Sequence, residues 1–278
     1  MSLSRKVATA IAVMVMAAGA MPATNAISSA TPTWAPAAHA TIRPGVQTIT
    51  AGSQCTANFV FVGHSDVYLG QAAHCAGRDG NLATNGCQAS THPLGTEVQV
   101  RGAEHPATLA YSSWVSMQVS EETDPNRCLY NDFALVRLHP ADRSKVNPTV
   151  PVWGGPVGVA TGSSYGDKVY SYGNSSLRLG LSPTSPREGY SLGTSNKGWN
   201  HTVYTVTPGI PGDSGSAFLD HSGAALGVLS TLELLPDAGS NGVSDLRHAL
   251  DYLRHHTRLR VRLALGTEPF TPGPLPPL

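Results

Sequence analysis

An all-β fold is predicted by three features of this chain of 278 residues: short β-prone runs, turn residues between them, and few segments with a helical period. The composition agrees, with 29 Gly, 21 Pro and only 6% aromatic residues. Such a chain suits many short strands joined by turns better than a helical bundle. Candidate strands fall at residues 58–62, 97–100, 113–119, 133–138, 168–172, 201–206, 215–219 and 225–230. Gly80, Asn81, Pro140, Gly154-Gly155, Gly166-Asp167 and Asp220-His221-Ser222-Gly223 punctuate them. Barrels or sandwiches accommodate strands of this kind.

One helix is expected at about 244–256. Ser244 can cap it, Asp245 stands in its first turn, and Val243, Leu246, Leu250 and Leu253 share a face. It reads as a packing helix at the end of the domain. Residues 266–278 carry Pro269, Pro272, Pro274, Pro276 and Pro277, so this tail is expected to be disordered or extended.

The first residues read as an export signal, with Arg5 and Lys6 before an apolar run at 7–21. Thr24-Asn25-Ala26 is a suitable cleavage site, and Ala38-His39-Ala40 a second, farther one. The run is short for a membrane span and has no basic stop-transfer flank. The expectation is a signal peptide at 1–26, a linker or short propeptide at 27–45, and a secreted domain at 46–265 with no membrane attachment after cleavage. Net charge is zero and 13% of residues are charged. No basic patch suited to nucleic acid is visible. Four cysteines, Cys55, Cys75, Cys87 and Cys128, allow three pairings. Cys55–Cys75 with Cys87–Cys128 is the expected set, and the first bridge would staple the loop carrying His74. None sits in a Cys-x-x-Cys pair and no metal site is expected.

Three segments carry chemistry: Ala72-Ala73-His74-Cys75, Asn131-Asp132-Phe133-Ala134-Leu135 and Pro211-Gly212-Asp213-Ser214-Gly215-Ser216. A serine hydroxyl is a weak nucleophile until a neighbouring base takes its proton. A histidine does so well when a carboxylate fixes its tautomer and stabilises the imidazolium. Each segment alone has an ordinary structural explanation, as a turn serine, a surface histidine or a capping aspartate. The three in this order are hard to explain otherwise. An α/β-hydrolase would need Gly-x-Ser-x-Gly and the order serine, acid, histidine; here position 216 is Ser and the order is reversed.

These boxes resemble those of chymotrypsin/trypsin-like serine endopeptidases of the secreted bacterial kind, over roughly residues 50–260. The resemblance implies two packed six-stranded antiparallel β-barrels, at about 46–145 and 150–240, followed by a C-terminal helix. His74 and Asp132 would belong to the first barrel and Ser214 to the second. It implies that Ser214 attacks the scissile carbonyl, His74 relays the proton and Asp132 orients His74. The N–H groups of Gly212 and Ser214 would form the oxyanion hole. Asp213 would be the internal carboxylate behind it and would need a cationic partner.

The chain departs from the family in places. Pro208 falls, by spacing, where trypsin-like members carry the acid of the primary pocket, which argues against cleavage after Arg or Lys. Ser230 and Leu232 correspond to the pocket wall, with Leu232 replacing a small glycine. Leu229 stands where glutamate-specific relatives place a histidine. A preference for small or medium apolar side chains is the resulting expectation. No Ile-Val-Gly-Gly terminus is present to pair with Asp213, so an internal arginine is the expected substitute. Gln71 and Ser216 replace the usual Thr and Gly without supplying a catalytic atom.

The sequence therefore predicts a secreted, monomeric serine endopeptidase acting on proteins or peptides through an acyl-enzyme, with no cofactor. The alternative is a secreted protease-like protein that binds without cleaving. The intact residue set argues against it.

Overall fold

The computed structural model describes residues 32–78, 84–233 and 238–273. The expected signal peptide, part of the linker, the turn at Gly80 and Asn81, and Pro274, Pro276 and Pro277 lie outside the described residues.

Seven short strands open the fold: β1 (Gln47–Thr50), β2 (Ser53–Thr56), β3 (Val60–Val62), β4 (Val67–Gln71), β5 (Glu97–Val100), β6 (Ala107–Ser112) and β7 (Ala134–Arg137). The next six are β8 (Tyr165–Tyr172), β9 (Pro186–Ser195), β10 (Asn200–Thr205), β11 (Ala217–Leu219), β12 (Ala225–Leu232) and β13 (Asn241–Asp245), and they close into an antiparallel barrel in the order β10-β13-β12-β11-β8-β9. A last strand, β14 (Arg262–Leu263), returns to pair with β3. The first sheet thus has eight strands, in the order β14-β3-β4-β7-β6-β5-β1-β2. The architecture is the expected double β-barrel, a closed six-stranded half beside a half-barrel sheet, with a helix after the last barrel strand.

Alternation explains the clearest strands. In β5 the outward Glu97 and Gln99 alternate with buried Val98 and Val100, the period-two pattern of a half-buried strand. The apolar cores join across the two sheets. Phe61 meets Phe133 edge to face at 5.5 Å, and both belong to a cluster that also holds Tyr170, Leu219 and Val228 of the second barrel.

Three sequence expectations are corrected. Residues 113–119 form a helix, α1 (Ser113–Val119), not a strand. Trp114 and Met117 both reach the core, and this spacing of three belongs to a helical face. A second short helix, α2 (Pro125–Tyr130), is capped by Asp124, whose side chain accepts from Asn126 N and Arg127 N. The C-terminal helix, α3 (Leu246–His256), is capped by Asp245, not Ser244. The Asp245 carboxylate accepts the His248 N–H at 2.7 Å, while Ser244 is spent in β13 and donates its hydroxyl to the Tyr130 carbonyl.

The flanking segments are also more ordered than their composition implied. The described part of the expected linker, 32–45, packs on the domain: Ile42 is fully buried and Trp34 lies against the core. The Ala35 N–H reaches the Val146 carbonyl at 2.9 Å. In the proline-rich tail, the Gly155 N–H donates to the Glu268 carbonyl at 3.1 Å and the Thr271 N–H to the Trp153 carbonyl at 2.8 Å. Phe270 packs edge to face on Tyr170. Proline prevents a regular ladder but not docking of a single extended strand.

Candidate active site

β4 ends in a 3-10 turn, Ala73–Ala76, that buries His74. Asp132 stands two residues before β7, and Ser214 three residues before β11. The Cys55–Cys75 disulfide ties β2 to the turn carrying His74, and a second disulfide joins Cys87 to Cys128 of α2.

His74 and Asp132 form the most tightly held pair. His74 Nδ1 is 2.6 Å from Asp132 Oδ2, and the His74 backbone N–H donates to Oδ1 at 2.9 Å. Ser230, on β12, donates its hydroxyl to the same Oδ2 at 2.6 Å. Burial works against the charge on His74, yet the Asp132 charge and hydrogen bond outweigh it and raise the imidazole above its ordinary value. Burial likewise opposes the Asp132 charge, but His74, the Ser230 hydroxyl and the His74 N–H hold the carboxyl below its usual range. A carboxylate on Nδ1 fixes that nitrogen as the protonated one and leaves Nε2 to accept a proton.

Ser214 shares one cleft with this pair. The cleft has a volume of about 660 Å³, and its lining includes Trp114, Leu129 and Tyr130 together with Gly209 to Gly212 and Leu229 to Glu233. Among the described residues Ser214 Oγ makes no hydrogen bond. Its turn is instead fixed through the backbone. The Thr56 N–H donates to the Ser214 carbonyl at 2.8 Å, and the Gly212 carbonyl accepts from Thr56 Oγ1 at 2.8 Å and Gln54 Nε2 at 2.9 Å. Gly215 has a φ of +89°, and a Cβ there would lie 2.5 Å from the Thr56 carbonyl oxygen. The glycine after the serine is thus required by left-handed backbone and by close approach to the first sheet. Gly212 has a φ of +93°. Neither its N–H nor that of Ser214 donates to another group among the described residues.

Asp213, fully buried, points the other way. Its Oδ2 accepts from Arg178 Nη2 at 2.6 Å and lies 3.4 Å from Arg187 Nη1. The amides of Ser175 and Ile210 also donate to it. Burial lowers Arg187 to about 10, with Asp213 resisting that shift and Arg178 adding to it. Ser216 joins the network: its hydroxyl donates to the Asp213 carbonyl and accepts from Arg187 Nη2 at 3.2 Å. The sequence called for an internal arginine without identifying it. Arg178 ends a 3-10 turn, Ser176–Arg178, and Arg187 lies in β9, neither within a local motif, so only the fold reveals them.

Of the expected pocket residues, Ser230 and Leu232 line the cleft and Pro208 does not. Pro208 is exposed, with its carbonyl bonded to Arg178 Nη2 at 3.0 Å. Asn241 and Glu233 line the cleft instead. Asn241 ties the Gly209 segment to β12, accepting from the Gly209 N–H at 2.7 Å and donating to the Thr231 carbonyl at 3.0 Å. A separate cluster of His105, His139 and Asp142 has metal-ligand residue types. The Lys145 ammonium sits on Asp142 Oδ1 at 2.8 Å, which opposes a second cation there.

No protein-family model matches this sequence, and no curated protein matches it. Solved structures do. Protease A of Thermobifida fusca aligns with a TM-score of 0.52 at 18% identity, covering 81% of this chain and 99% of that one. A Glu endopeptidase in complex with MPD aligns with a TM-score of 0.50 at 15% identity, covering 76% and 89%. At these identities the likeness is one of fold: the chain has the chymotrypsin-like double β-barrel of bacterial serine proteases.

Proposed function

We propose that this protein is a secreted serine endopeptidase that cleaves peptide bonds through an acyl-enzyme. The observation that carries the reading is the 2.6 Å contact between His74 Nδ1 and buried Asp132 in the cleft that also holds Ser214.

Ser214 Oγ adds to the scissile carbonyl carbon while His74 Nε2 takes its proton. Asp132 stays ionised and balances the imidazolium. The tetrahedral oxyanion is held by the N–H groups of Gly212 and Ser214, which have no competing acceptor among the described residues. The carbon–nitrogen bond then breaks as His74 returns the proton to the leaving amine. Water, activated by the same histidine, hydrolyses the acyl-enzyme and restores Ser214. The missing Ser214–His74 hydrogen bond is consistent with sites that tighten only around substrate. No cofactor enters this scheme. Residues 1–26 serve as the export signal in this reading, the domain acts as a monomer, and two disulfides suit an oxidising compartment.

Purified chain and its Ser214→Ala variant, incubated with an unfolded polypeptide, test the proposal. New peptide termini are expected with the parent and none with the variant. An unfolded polypeptide left whole by the parent would overturn it.

A further inference from the structure

We propose that the Glu233 carboxylate makes the Ser214 cleft selective for a substrate bearing a lysine or arginine side chain close to the bond attacked. The inference rests on the proteolytic reading above and names its substrate class.

Glu233 follows β12 directly and lines the cleft together with Ser214, Gly209, Thr231 and Asn241. Its backbone is pinned, the N–H to the Ser240 carbonyl at 2.9 Å and the carbonyl by the Gly239 N–H at 3.1 Å. Its side chain is aimed as well: Thr231 Oγ1 donates to Glu233 Oε1 at 2.8 Å. The opposite strand leaves room for it. A Cβ on Gly242 would stand 2.3 Å from Thr231 Oγ1 and 3.1 Å from Glu233 Oε1, so any larger residue would displace both groups.

Charge accounting points to a cation. Among the described residues no Lys, Arg or His pairs with Glu233. The two arginines behind the serine turn are committed to Asp213. The Asp132 carboxylate is already taken up by hydrogen bonds from His74 and Ser230. Glu233 therefore brings an unmatched negative charge to a partly enclosed cleft, where attraction exceeds its value in open water. Ile210, Leu229 and Leu232 line the same cleft. They suit the alkyl stem of a lysine or arginine whose head reaches a carboxylate. An acidic side chain meets repulsion here, and a neutral one gains no charge pairing. The apolar preference expected from the sequence drew on Pro208, Leu229 and Leu232; the two leucines line the cleft and Pro208 does not, and the carboxylate arrives from a position 25 residues beyond Pro208 along the chain.

The test is affinity, so that it does not depend on turnover. A positional set of peptides carries, at one place at a time, either arginine or its uncharged isostere citrulline. Binding to the full chain bearing Ser214→Ala is measured by titration calorimetry. At one or more positions the arginine peptide is expected to bind about tenfold tighter, the scale of one partly desolvated charge pair. The advantage is expected to shrink in high salt and to vanish when Glu233→Gln is added. Equal affinities at every position overturn the proposal, as does an advantage that survives Glu233→Gln. The comparison on the chain that keeps Glu233 stands without the second substitution. Absence of cleavage by the Ser214 parent counts against proteolysis, whereas equal affinities count against Glu233, so the two readings fail separately.

Discussion

Arg187 of β9 and Asp213 of the serine turn face each other inside the second barrel, Nη1 3.4 Å from Oδ2, with neither side chain exposed. Arg178 closes the carboxylate from the rim at 2.6 Å. A buried charge that loses its partner typically costs about 3–5 kcal/mol. Asp213→Asn leaves two guanidinium groups without their counter-charge and is expected to cost this much in urea unfolding. Arg178→Ala leaves the Arg187–Asp213 pair in place and is expected to cost about a third as much. Equal losses would show that the sealed pair is not the anchor of the turn.

The His74–Asp132 pair sets a pH dependence. The folded His74 lies above its ordinary 6.5, so its contribution to stability is complete below that value and is lost as pH rises through the folded one. The folded Asp132 lies below its ordinary 3.8, so its contribution is present above that value and fades as pH falls through the folded one. Both act together between about pH 3.8 and 6.5. Attack by Ser214 needs a neutral imidazole. The rate of acylation is therefore expected to rise with pH with a midpoint above 6.5, read from a pH series of active-site labelling. Asp132→Asn is expected to lower turnover by about 10⁴.

Gly70 has no room for a side chain. A Cβ there would sit 1.9 Å from Asn58 Oδ1, and Asn58 Nδ2 donates to the Gly215 carbonyl at 3.0 Å. Gly70→Ala is thus expected to displace the prop beneath the serine turn. The expected result is a loss of about 2 kcal/mol in denaturant unfolding together with slower labelling of Ser214. Unchanged labelling in a destabilised variant would show that Asn58 serves stability alone.

Cys55 and Cys75 close a chain segment with a sequence separation of 20. Replacing both by alanine is expected to cost about 2–4 kcal/mol, chiefly by freeing the unfolded chain. Because the bridge also holds the His74 turn, the midpoint of thermal unfolding and the labelling rate should fall together.

What was legible in the sequence was what local chemistry dictates. The serine turn is written in its glycines, because Gly215 must be left-handed and must clear the Thr56 carbonyl. β5 and β7 are written in their apolar patterns. Residues 113–119 misled because β-branched and aromatic residues there mimic a strand, while Trp114 and Met117 pack at helical spacing. β9 was missed because Pro186, Arg187, Glu188 and two glycines hide its alternation. Arg187 has its meaning only through the barrel, which carries it across to Asp213. Glu233 was missed for a similar reason: its place in the cleft depends on the β12–β13 pairing and the gap left by Gly242.

The most direct test of the central claim is the intact mass of the folded protein after exposure to a serine-directed fluorophosphonate, beside a Ser214→Ala control. One adduct on the parent and none on the control is predicted, since only a serine served by His74 and the Gly212 and Ser214 amides reacts quickly. A folded parent that gains no adduct, or a control that gains the same one, would contradict the assignment of Ser214 as the nucleophile.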